Sequence, residues 1–300
     1  ENEAGIIILT YDAWYDDLEP LVEMHAEYEE EPLTAVRVKL SDVYDEFSWG
    51  VTDPTAIRNF LRYAHERWRG SDGSAEPPRY VLFVGDGDYD YRNLVSSSDD
   101  NWMPPWESSG VCTDDYYVEF DDGAPLLDMI SGRWPVQTPQ EVAAIVEKTV
   151  NYAADPLYGP WKNTATFVAD DEWKSGFCAE SVHTRDSENL INNVLPNYFT
   201  FRKIYEILYP FRQSASTSQK PDATRDLIET INNGTLLINY VGHGNERVWT
   251  DEQLFVMDRD FGLLDNNRMW PVIVAGTCTW GGFDRPNERC FPELLVGADG

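Results

Sequence analysis

Basic side chains are scarce in this sequence: 23 Lys and Arg stand against 53 Asp and Glu in 300 residues, a formal net charge of −30. Nucleic-acid binding requires a cationic surface that displaces phosphate counterions, and anionic membranes attract basic segments. The deficit therefore excludes nucleic acid as a partner and disfavours an anionic membrane surface. Lysine is the rarer basic residue, six of the 23. Many Asp with few Lys suits salt adaptation, bound calcium or simply a solvated acidic face, and composition leaves these three open.

Long apolar runs are also missing. No stretch approaches the roughly 20 apolar residues that span a bilayer, so no transmembrane segment is predicted. There is no signal peptide and the chain begins at Glu1, so we expect a part excised from a longer precursor. Hydrophobic residues (42%) and aromatic residues (13%) are nevertheless sufficient for a packed core, which argues against disorder.

Cysteine is rare as well. The four cysteines form no C-x-x-C pair and the four histidines are scattered, so a structural zinc site is not predicted. A disulfide between Cys112 and Cys178 is compatible with export, but spacing does not establish the connectivity.

What the sequence does contain is a regular alternation of apolar strands and amphipathic helices. Asp53-Pro54 and Thr138-Pro139 are typical helix starts, with a capping side chain followed by proline in the first turn. Five or more βα alternations predict α/β layers around a mainly parallel sheet. The Pro/Gly-rich segment 155–161 predicts two α/β subdomains, 1–158 and 159–300. The predicted strands are 5–10, 34–40, 80–84, 126–130, 164–169, 203–208, 235–241 and 271–276. Helices are predicted at 14–30, 181–195, 221–233 and 292–296, and two more are predicted to begin at residues 54 and 139. Residues 89–123 are predicted to form a long loop.

Two of these strands end in residues that carry chemistry. Strand 235–241 leads into Gly242-His243-Gly244, and strand 271–276 leads into Thr277-Cys278. Ligand sites of open α/β sheets form beyond the carboxyl ends of strands, and parallel pairing would bring His243 and Cys278 together there. A thiol beside an imidazole becomes a nucleophilic thiolate, and glycines let backbone N–H groups approach a substrate oxyanion. The alternative is a cysteine that acts as a small buried hydrophobe and a structural histidine.

The segments 240–244 and 277–278 resemble the His and Cys signature of the gingipain-type cysteine peptidase family, which has a caspase-like fold. Within that family the sequence is most similar to the PorU-type sortase branch of the type IX secretion system. Other segments similar to the family, in the same order, are 43–48, 53–58, 82–93, 113–117, 132–133, 167–171 and 221–222.

The resemblance implies a caspase/gingipain-like layered fold with mainly parallel sheets, and it implies roles for individual residues. Cys278 would be the nucleophile and His243 the general acid/base, while the backbone N–H groups of Gly244 and Cys278 would form the oxyanion hole. The acidic residue that orients the histidine falls at Asp171 or Glu172, and both stay open.

Two further positions concern substrate binding. In the family, one position selects a basic side chain in the substrate residue before the cleaved bond. That position falls near Thr184, which is not acidic, so we expect a small or neutral substrate residue there. Trp249 matches an aromatic residue near the histidine. It is interpreted either as a wall of the pocket or as a core tryptophan.

The acidic loops are candidates for metal binding. Asp86, Asp88 and Asp90 have the spacing of a calcium loop, but Tyr91 and Ser97 occupy the Gly and Glu positions, which excludes an EF-hand. The resemblance implies structural calcium with unidentified ligands and no cofactor required for catalysis. The paired acids 99–100, 114–115 and 121–122 are interpreted as solvated loop faces.

Taken together, the predicted function is a cysteine peptidase or transpeptidase that acts through an acyl-enzyme. Such a sortase would remove C-terminal sorting domains from exported proteins and transfer the new carboxyl end to a surface lipid sugar. Its expected partners are those substrates and other outer-membrane secretion components. Its expected location is secreted or on the cell surface, associated with the outer membrane of a Gram-negative bacterium. The alternative is a catalytically silent gingipain-like domain with a structural or binding role.

Overall fold

The computed structural model describes residues 2–28, 32–70, 73–95, 97, 101–121, 126–171, 181–213 and 218–298. The chain forms two compact units. The first contains residues up to Asp155 together with Gly282–Arg289 and Val296–Asp299, and the second contains Pro156–Gly281 and Cys290–Leu295. The first unit thus includes two segments that come after the predicted subdomain boundary along the chain, 282–289 and 296–299.

The first unit is built on a four-stranded sheet in the order β2-β1-β3-β6, in which every pairing is parallel. A short antiparallel hairpin, β4-β5, lies apart from this sheet. The strands are β1 (Ile6–Thr10), β2 (Ala35–Lys39), β3 (Tyr80–Val84), β4 (Trp106–Ser108), β5 (Val111–Thr113) and β6 (Ile130–Trp134). The helices are α1 (Glu19–Glu27), α2 (Leu40–Ser48), α3 (Pro54–Arg67), α4 (Asp115–Val118) and α5 (Pro139–Ala154).

Alternate residues of β1 and β3 face opposite sides of this sheet, as period-two side-chain geometry requires. Ile7 and Leu9 pack in a cluster with α2 and α3, and Ile6 and Ile8 pack in a second cluster with α1 and α5. The sheet is therefore covered by helices on both faces, the arrangement expected of parallel strands.

Both predicted proline-led helix starts are confirmed. The Asp53 carboxylate accepts the Thr55 N–H at 2.8 Å, and the Thr138 hydroxyl accepts the Glu141 N–H at 3.2 Å. Each bond satisfies one of the backbone donors that a helix leaves unpaired in its first turn.

Three predictions in this unit are wrong. The strand expected at 126–130 is β6, which begins at Ile130 and runs to Trp134. The helix α2 was missed because it follows β2 without any intervening turn residue. The long loop 89–123 contains the β4-β5 hairpin and α4, which are too short to produce a periodic pattern.

The second unit has its own four-stranded parallel sheet, in the order β14-β11-β7-β8. The short strands pair as antiparallel ribbons, β9 with β10 and β12 with β13. The strands are β7 (Thr164–Ala169), β8 (Thr200–Tyr205), β9 (Arg212–Gln213), β10 (Ser218–Gln219), β11 (Leu237–Val241), β12 (Val248–Trp249), β13 (Phe255–Val256) and β14 (Val272–Gly276). The helices are α6 (Val182–Asn193), α7 (Pro221–Asn232), α8 (Met257–Asp260) and α9 (Phe291–Gly297), and the last two residues of α9 are assigned to the first unit.

The strand order of the second unit contains a reversal. From β7 the chain moves to β8 on one side, and it then returns to place β11 and β14 on the other. Such a reversal leaves a crevice outside the carboxyl ends of the two strands where the direction changes, here β7 and β11. The strand predicted at 203–208 is shifted: β8 ends at Tyr205, and 206–208 form a 3-10 turn.

The mainly parallel α/β architecture predicted from the sequence is thus confirmed in both units. Across the residues that the structure describes, no helix is both long and apolar enough to cross a bilayer.

Candidate active site

His243 and Cys278 follow neighbouring strands at the same level. In the register of the sheet, Val241 pairs with Gly276 on one side and with Ala169 on the other. His243 and Cys278 each stand two residues beyond this pair. The contact between their loops continues past the strands, because the Gly242 N–H donates to the Gly276 carbonyl at 3.2 Å. Both side chains are exposed, so a substrate can reach them.

The backbone of His243 is held at both of its polar groups. Its N–H donates to Asp170 Oδ2 at 2.9 Å. Its carbonyl accepts the Tyr240 hydroxyl and the Thr250 N–H, the latter at 3.0 Å. Three bonds from three separate segments orient the loop, so the histidine needs little further ordering when a substrate binds.

The two glycines beside His243 are required by close packing. A Cβ on Gly242 would lie 2.4 Å from Asp170 Cβ and 2.6 Å from the Tyr240 hydroxyl. A Cβ on Gly244 would lie 2.8 Å from Thr277 Oγ1, the residue just before Cys278. Any larger residue at either position would therefore push the His243 loop away from its neighbours.

The two acids proposed to orient the histidine have different positions. Asp171 forms a buried ion pair with Lys220, whose Nζ also donates to the Glu206 carbonyl at 2.7 Å. Glu172 lies outside the described residues. The choice between Asp171 and Glu172 stays a prediction.

Among the described residues, Asp170 is an acid that accepts a hydrogen bond from the His243 backbone, and sequence reasoning did not select it. It is the first residue after β7, and its N–H donates to the Val241 carbonyl at 3.1 Å, which places it beside Gly242. Aligning the ends of the neighbouring strands β7, β11 and β14 would have identified Asp170. Asp170, Gly242 and Thr277 each stand one residue past the last paired position of their strand.

The first turn of α6 brings a second imidazole to the site. The rings of His183 and His243 contact edge to face, with centroids 6.0 Å apart. Thr184 follows on the same turn, half-buried, and its hydroxyl receives no hydrogen bond from the described residues. Its proposed role in substrate selection stays a prediction. Asp170, His183 and His243 also present ligand atoms within 4.8 Å of one another, a set of donors that suits Zn²⁺.

Trp249 lies in the core of the second unit. It is 0% exposed and stacks on Tyr240 with ring centroids 4.1 Å apart, and it also contacts Phe255 and Trp280. Its contact with the site runs through Tyr240, whose hydroxyl donates to the His243 carbonyl. A direct role as a pocket wall stays a prediction.

Behind the histidine loop, buried acids have unusual pKa values. Burial, reinforced by the negative charges of Asp171 and Asp170, raises the pKa of Glu252 to about 7. Burial also raises the pKa of Glu206 well above its ordinary value, and the charges of Glu252 and Asp170 add to the effect. Desolvation thus penalises negative charge at both groups.

The acidic loop after β3 differs from the solvated surface expected of many acids. Asp86, Asp88 and Asp90 are all buried. Asp90 accepts the N–H groups of Leu94 and Val95, each at 2.8 Å, and Asp88 Oδ1 accepts the Asp90 N–H at 2.7 Å. The carboxylates of Asp88 and Asp90 therefore organise the loop backbone itself.

One of the paired acids also departs from its expected solvated state. Asp114 forms a bidentate ion pair with the buried Arg133, with both nitrogen–oxygen distances at 2.7 Å. That prediction is wrong for Asp114, whereas Asp115 and Asp121 are exposed as expected. Positions 99, 100 and 122 lie outside the described residues.

The proposed disulfide also has one partner outside the described residues, Cys178. Cys112 is half-buried. Burial, together with the negative charges of Asp284 and Asp114, raises the pKa of its thiol to about 12. A thiol of this kind stays protonated and unreactive at neutral pH.

Two mainly parallel α/β sheets covered by helices define the class of protein as a caspase-like α/β fold. The chain belongs to peptidase family C25, whose family model matches residues 1–300. It is 24% identical to gingipain R2 of Porphyromonas gingivalis, over 81% of this chain and 28% of that protein. It thus spans less than a third of the length of this relative.

Solved structures support the same fold. The crystal structure of the Arg-specific cysteine proteinase gingipain R (RgpB) matches with a TM-score of 0.72 and 21% identity, covering all of this chain and 60% of that one. Dimeric latent PorU from P. gingivalis matches with a TM-score of 0.41 over 51% of this chain and 16% of that one, which is too low to support an argument. The fold and the family predicted from the sequence are confirmed.

Proposed function

We propose that this chain carries the catalytic centre of a C25 cysteine peptidase, with Cys278 as nucleophile and His243 as general acid/base. The observation that carries the proposal is the register of the second sheet. Both residues stand two positions past the Val241–Gly276 pair, at the carboxyl end of the sheet where ligands bind. His243 follows β11, which borders the crevice between β7 and β11, and Cys278 follows the next strand, β14. Family membership supplies the reaction class, acyl transfer from a peptide bond.

In the proposed reaction, the Cys278 thiolate attacks the carbonyl carbon of the scissile bond. The resulting oxyanion accepts hydrogen bonds from the Gly244 and Cys278 N–H groups. The His243 imidazolium then donates its proton to the leaving amine as the C–N bond breaks, which leaves an acyl-enzyme and neutral imidazole. A water or an amine attacks the acyl-enzyme, His243 takes its proton, and Cys278 is released as thiolate.

Asp170 acts in this scheme as a positioning residue. Its carboxylate holds the backbone of His243, and the same residue bonds to the Val241 carbonyl through its own N–H. It therefore ties the histidine loop to the end of β7.

The thiolate provides a direct test of the pair. We expect His243→Ala to slow alkylation of Cys278 by iodoacetamide at pH 7 by about ten- to thirtyfold, because an unassisted thiol with a pKa near 8.5 is only a few per cent thiolate. The measurement is the rate of modification at Cys278 by mass spectrometry of digested protein. The variant His65→Ala, in the first unit, serves as control. Equal alkylation rates in all three proteins would show that His243 does not activate the thiol.

We further propose that the acyl-enzyme is resolved by transfer, as in the PorU-type sortases that the sequence resembles. The substrates would be exported proteins with C-terminal sorting domains, and the site of action would be the cell surface. The absence of an acid at Thr184 supports a neutral rather than basic residue before the cleaved bond.

Mass spectrometry of the substrate's new carboxyl terminus distinguishes the two fates of the acyl-enzyme. With an amine acceptor present, transfer yields an amide-linked adduct whose fraction rises with acceptor concentration. A free carboxylic acid at every acceptor concentration would restrict the chain to hydrolysis.

A further inference from the structure

A groove runs along the second sheet beside α6. In the register of the sheet, Asn239 pairs with Phe167 on one side and with Val274 on the other, so these three side chains share one face. Phe167 packs in the same cluster as Ile191 of α6, which identifies this face as the one that α6 covers. The helix packs against β7 and β11, whereas Val274 on β14 is 51% exposed. The part of this face that lies over β14 is therefore open to solvent.

The groove leads to the two proposed reactive residues. Gly276 lies on the same face, two residues before Cys278, and it has no side chain to close the passage. A Cβ placed on Gly276 would make only ordinary contacts, the nearest being a backbone oxygen at 3.5 Å. On the other side, the first turn of α6 brings the His183 ring against the ring of His243. A substrate side chain held at Cys278 can therefore enter the groove between β14 and α6.

Buried polar atoms along the groove lack partners. Ser187 stands about one turn after His183, on the face of α6 that packs on the sheet, and it is 0% exposed. Its hydroxyl, the Thr184 hydroxyl and the Asn239 carboxamide nitrogen make no hydrogen bond with any residue in the described part of the chain. The large majority of buried polar atoms in folded proteins have a partner. Three such atoms on neighbouring elements indicate a ligand that supplies the missing bonds.

We propose that this groove binds the side chain of the substrate residue before the cleaved bond, and that this residue is glutamine. The inference rests on the proposed function, since it places the scissile carbonyl at Cys278. The groove offers one N–H donor and two hydroxyls, and a hydroxyl both donates and accepts. A carboxamide carries an acceptor oxygen and two N–H donors, so one glutamine can satisfy all three groups.

The length of the side chain follows from the strand geometry. Asn239 lies two residues before the end of β11, roughly 7 Å into the groove at the spacing of a β-strand. A serine or alanine side chain ends well above Asn239, whereas the longer glutamine brings its amide towards Ser187 and Asn239. Specificity for this residue would then be determined by the inner end of the groove.

The charges around the groove disfavour an ionised side chain. A buried charge is costly without a charged partner, and the three groups that line the inner end are all uncharged, so lysine and arginine are poorly accommodated. Asp170 offers an oxygen within 4.8 Å of ligand atoms of His183 and His243, so a carboxylate stands beside the entrance. Like charges repel, and a glutamate side chain is therefore disfavoured as well.

The test compares peptides that differ only in this residue, glutamine against methionine, which has a similar length and no amide. We expect the wild-type chain to cleave the glutamine peptide with a kcat/KM at least about tenfold higher, because a site built for hydrogen bonds rejects an analogue that leaves its groups unpaired. Ser187→Ala and Asn239→Leu should each reduce this ratio at least about threefold. The control Asn189→Leu, an exposed asparagine of α6, should keep the full ratio.

Blocking the passage provides a second variant. Gly276→Val should fold, because a Cβ there meets no close contact, but its branched side chain narrows the groove. We expect it to lower kcat/KM for the glutamine peptide by at least about tenfold relative to a peptide with glycine before the cleaved bond, which does not use the groove. Equal losses for both peptides would show that the side chain does not pass over Gly276.

Peptide binding separates failure of the groove from failure of the peptidase. The Cys278→Ala protein cannot form an acyl-enzyme, and fluorescence anisotropy of labelled peptides measures its affinity for each. A glutamine preference in binding, with no cleavage by the wild-type chain, would support the groove and reject the catalytic proposal. Cleavage by the wild-type chain without a preference for glutamine over methionine, glutamate and lysine would overturn the groove alone. Neither binding nor cleavage of any peptide would overturn both.

Discussion

Replacing Cys278 by alanine is expected to reduce peptide cleavage by about ten-thousandfold or more, since removing the nucleophile of a covalent mechanism leaves only binding and oxyanion stabilisation. Folding should be unaffected, because the side chain is exposed and exposed substitutions change stability by less than about 0.5 kcal/mol. The measurements are kcat/KM on a fluorogenic peptide library that varies the residue before the cleaved bond, and the midpoint of urea unfolding.

Cys112→Ala is the matched control for that experiment. Its thiol is half-buried in the first unit and its pKa is raised to about 12, so losing it should leave cleavage unchanged. A Cys278→Ala protein with wild-type kcat/KM would refute the nucleophile assignment. A wild-type chain that neither cleaves the library nor reacts with a peptidyl acyloxymethyl ketone would instead support the catalytically silent alternative.

The largest expected loss of stability is at Arg133. Replacing it by methionine should lower the free energy of unfolding by about 3–5 kcal/mol, because it leaves Asp114 as an uncompensated, mostly buried charge. The guanidinium also donates to the carbonyls of Gly85 and Met103, at 2.9 and 2.7 Å, and these would lose a partner. Urea unfolding at constant pH measures the change.

A surface ion pair supplies the control. Arg62 bonds to Glu66 at 2.8 Å with both side chains 47% exposed, so Arg62→Met should cost no more than about 1 kcal/mol. Combining Arg133→Met with Asp114→Asn should recover part of the stability, since the second change removes the stranded charge. Equal stabilities of the Arg133→Met and Arg62→Met proteins would mean that the buried pair contributes nothing beyond its packing.

Local pattern was a reliable guide where an element is long and its ends carry clear signals. The helices at Pro54 and Pro139 start where the Asp-Pro and Thr-Pro pairs place them, since the cap and the proline act within one turn. Elements without such signals were misplaced. Helix α2 joins β2 with no turn residue between them, and β6 follows a segment whose apolar residues resemble a strand.

The candidate site likewise contains residues that local sequence pattern identifies and one that it does not. His243 and Cys278 could be selected because each follows an apolar strand and is flanked by small residues, and parallel register then requires them to be level. Asp170 was not selected, although it stands one residue before Asp171. Consecutive side chains in extended backbone point to opposite sides, so only one of Asp170 and Asp171 can face the histidine loop. Which one does so depends on how the chain leaves β7.

The scarcity of positive charge argued against nucleic acid as a partner, which stays a prediction. The sequence alone determined the α/β class and the family, and it selected His243 and Cys278 as the proposed reactive pair, because these depend on short-range periodicity and on motifs a few residues long. Only the tertiary structure decided what the acids do. Asp171 pairs with Lys220, Asp114 pairs with Arg133, and Glu206 and Glu252 converge on Asp170. In the sequence these acids look alike, since composition counts charges without regard to burial. Their chemistry follows from desolvation and from neighbours that lie far away along the chain.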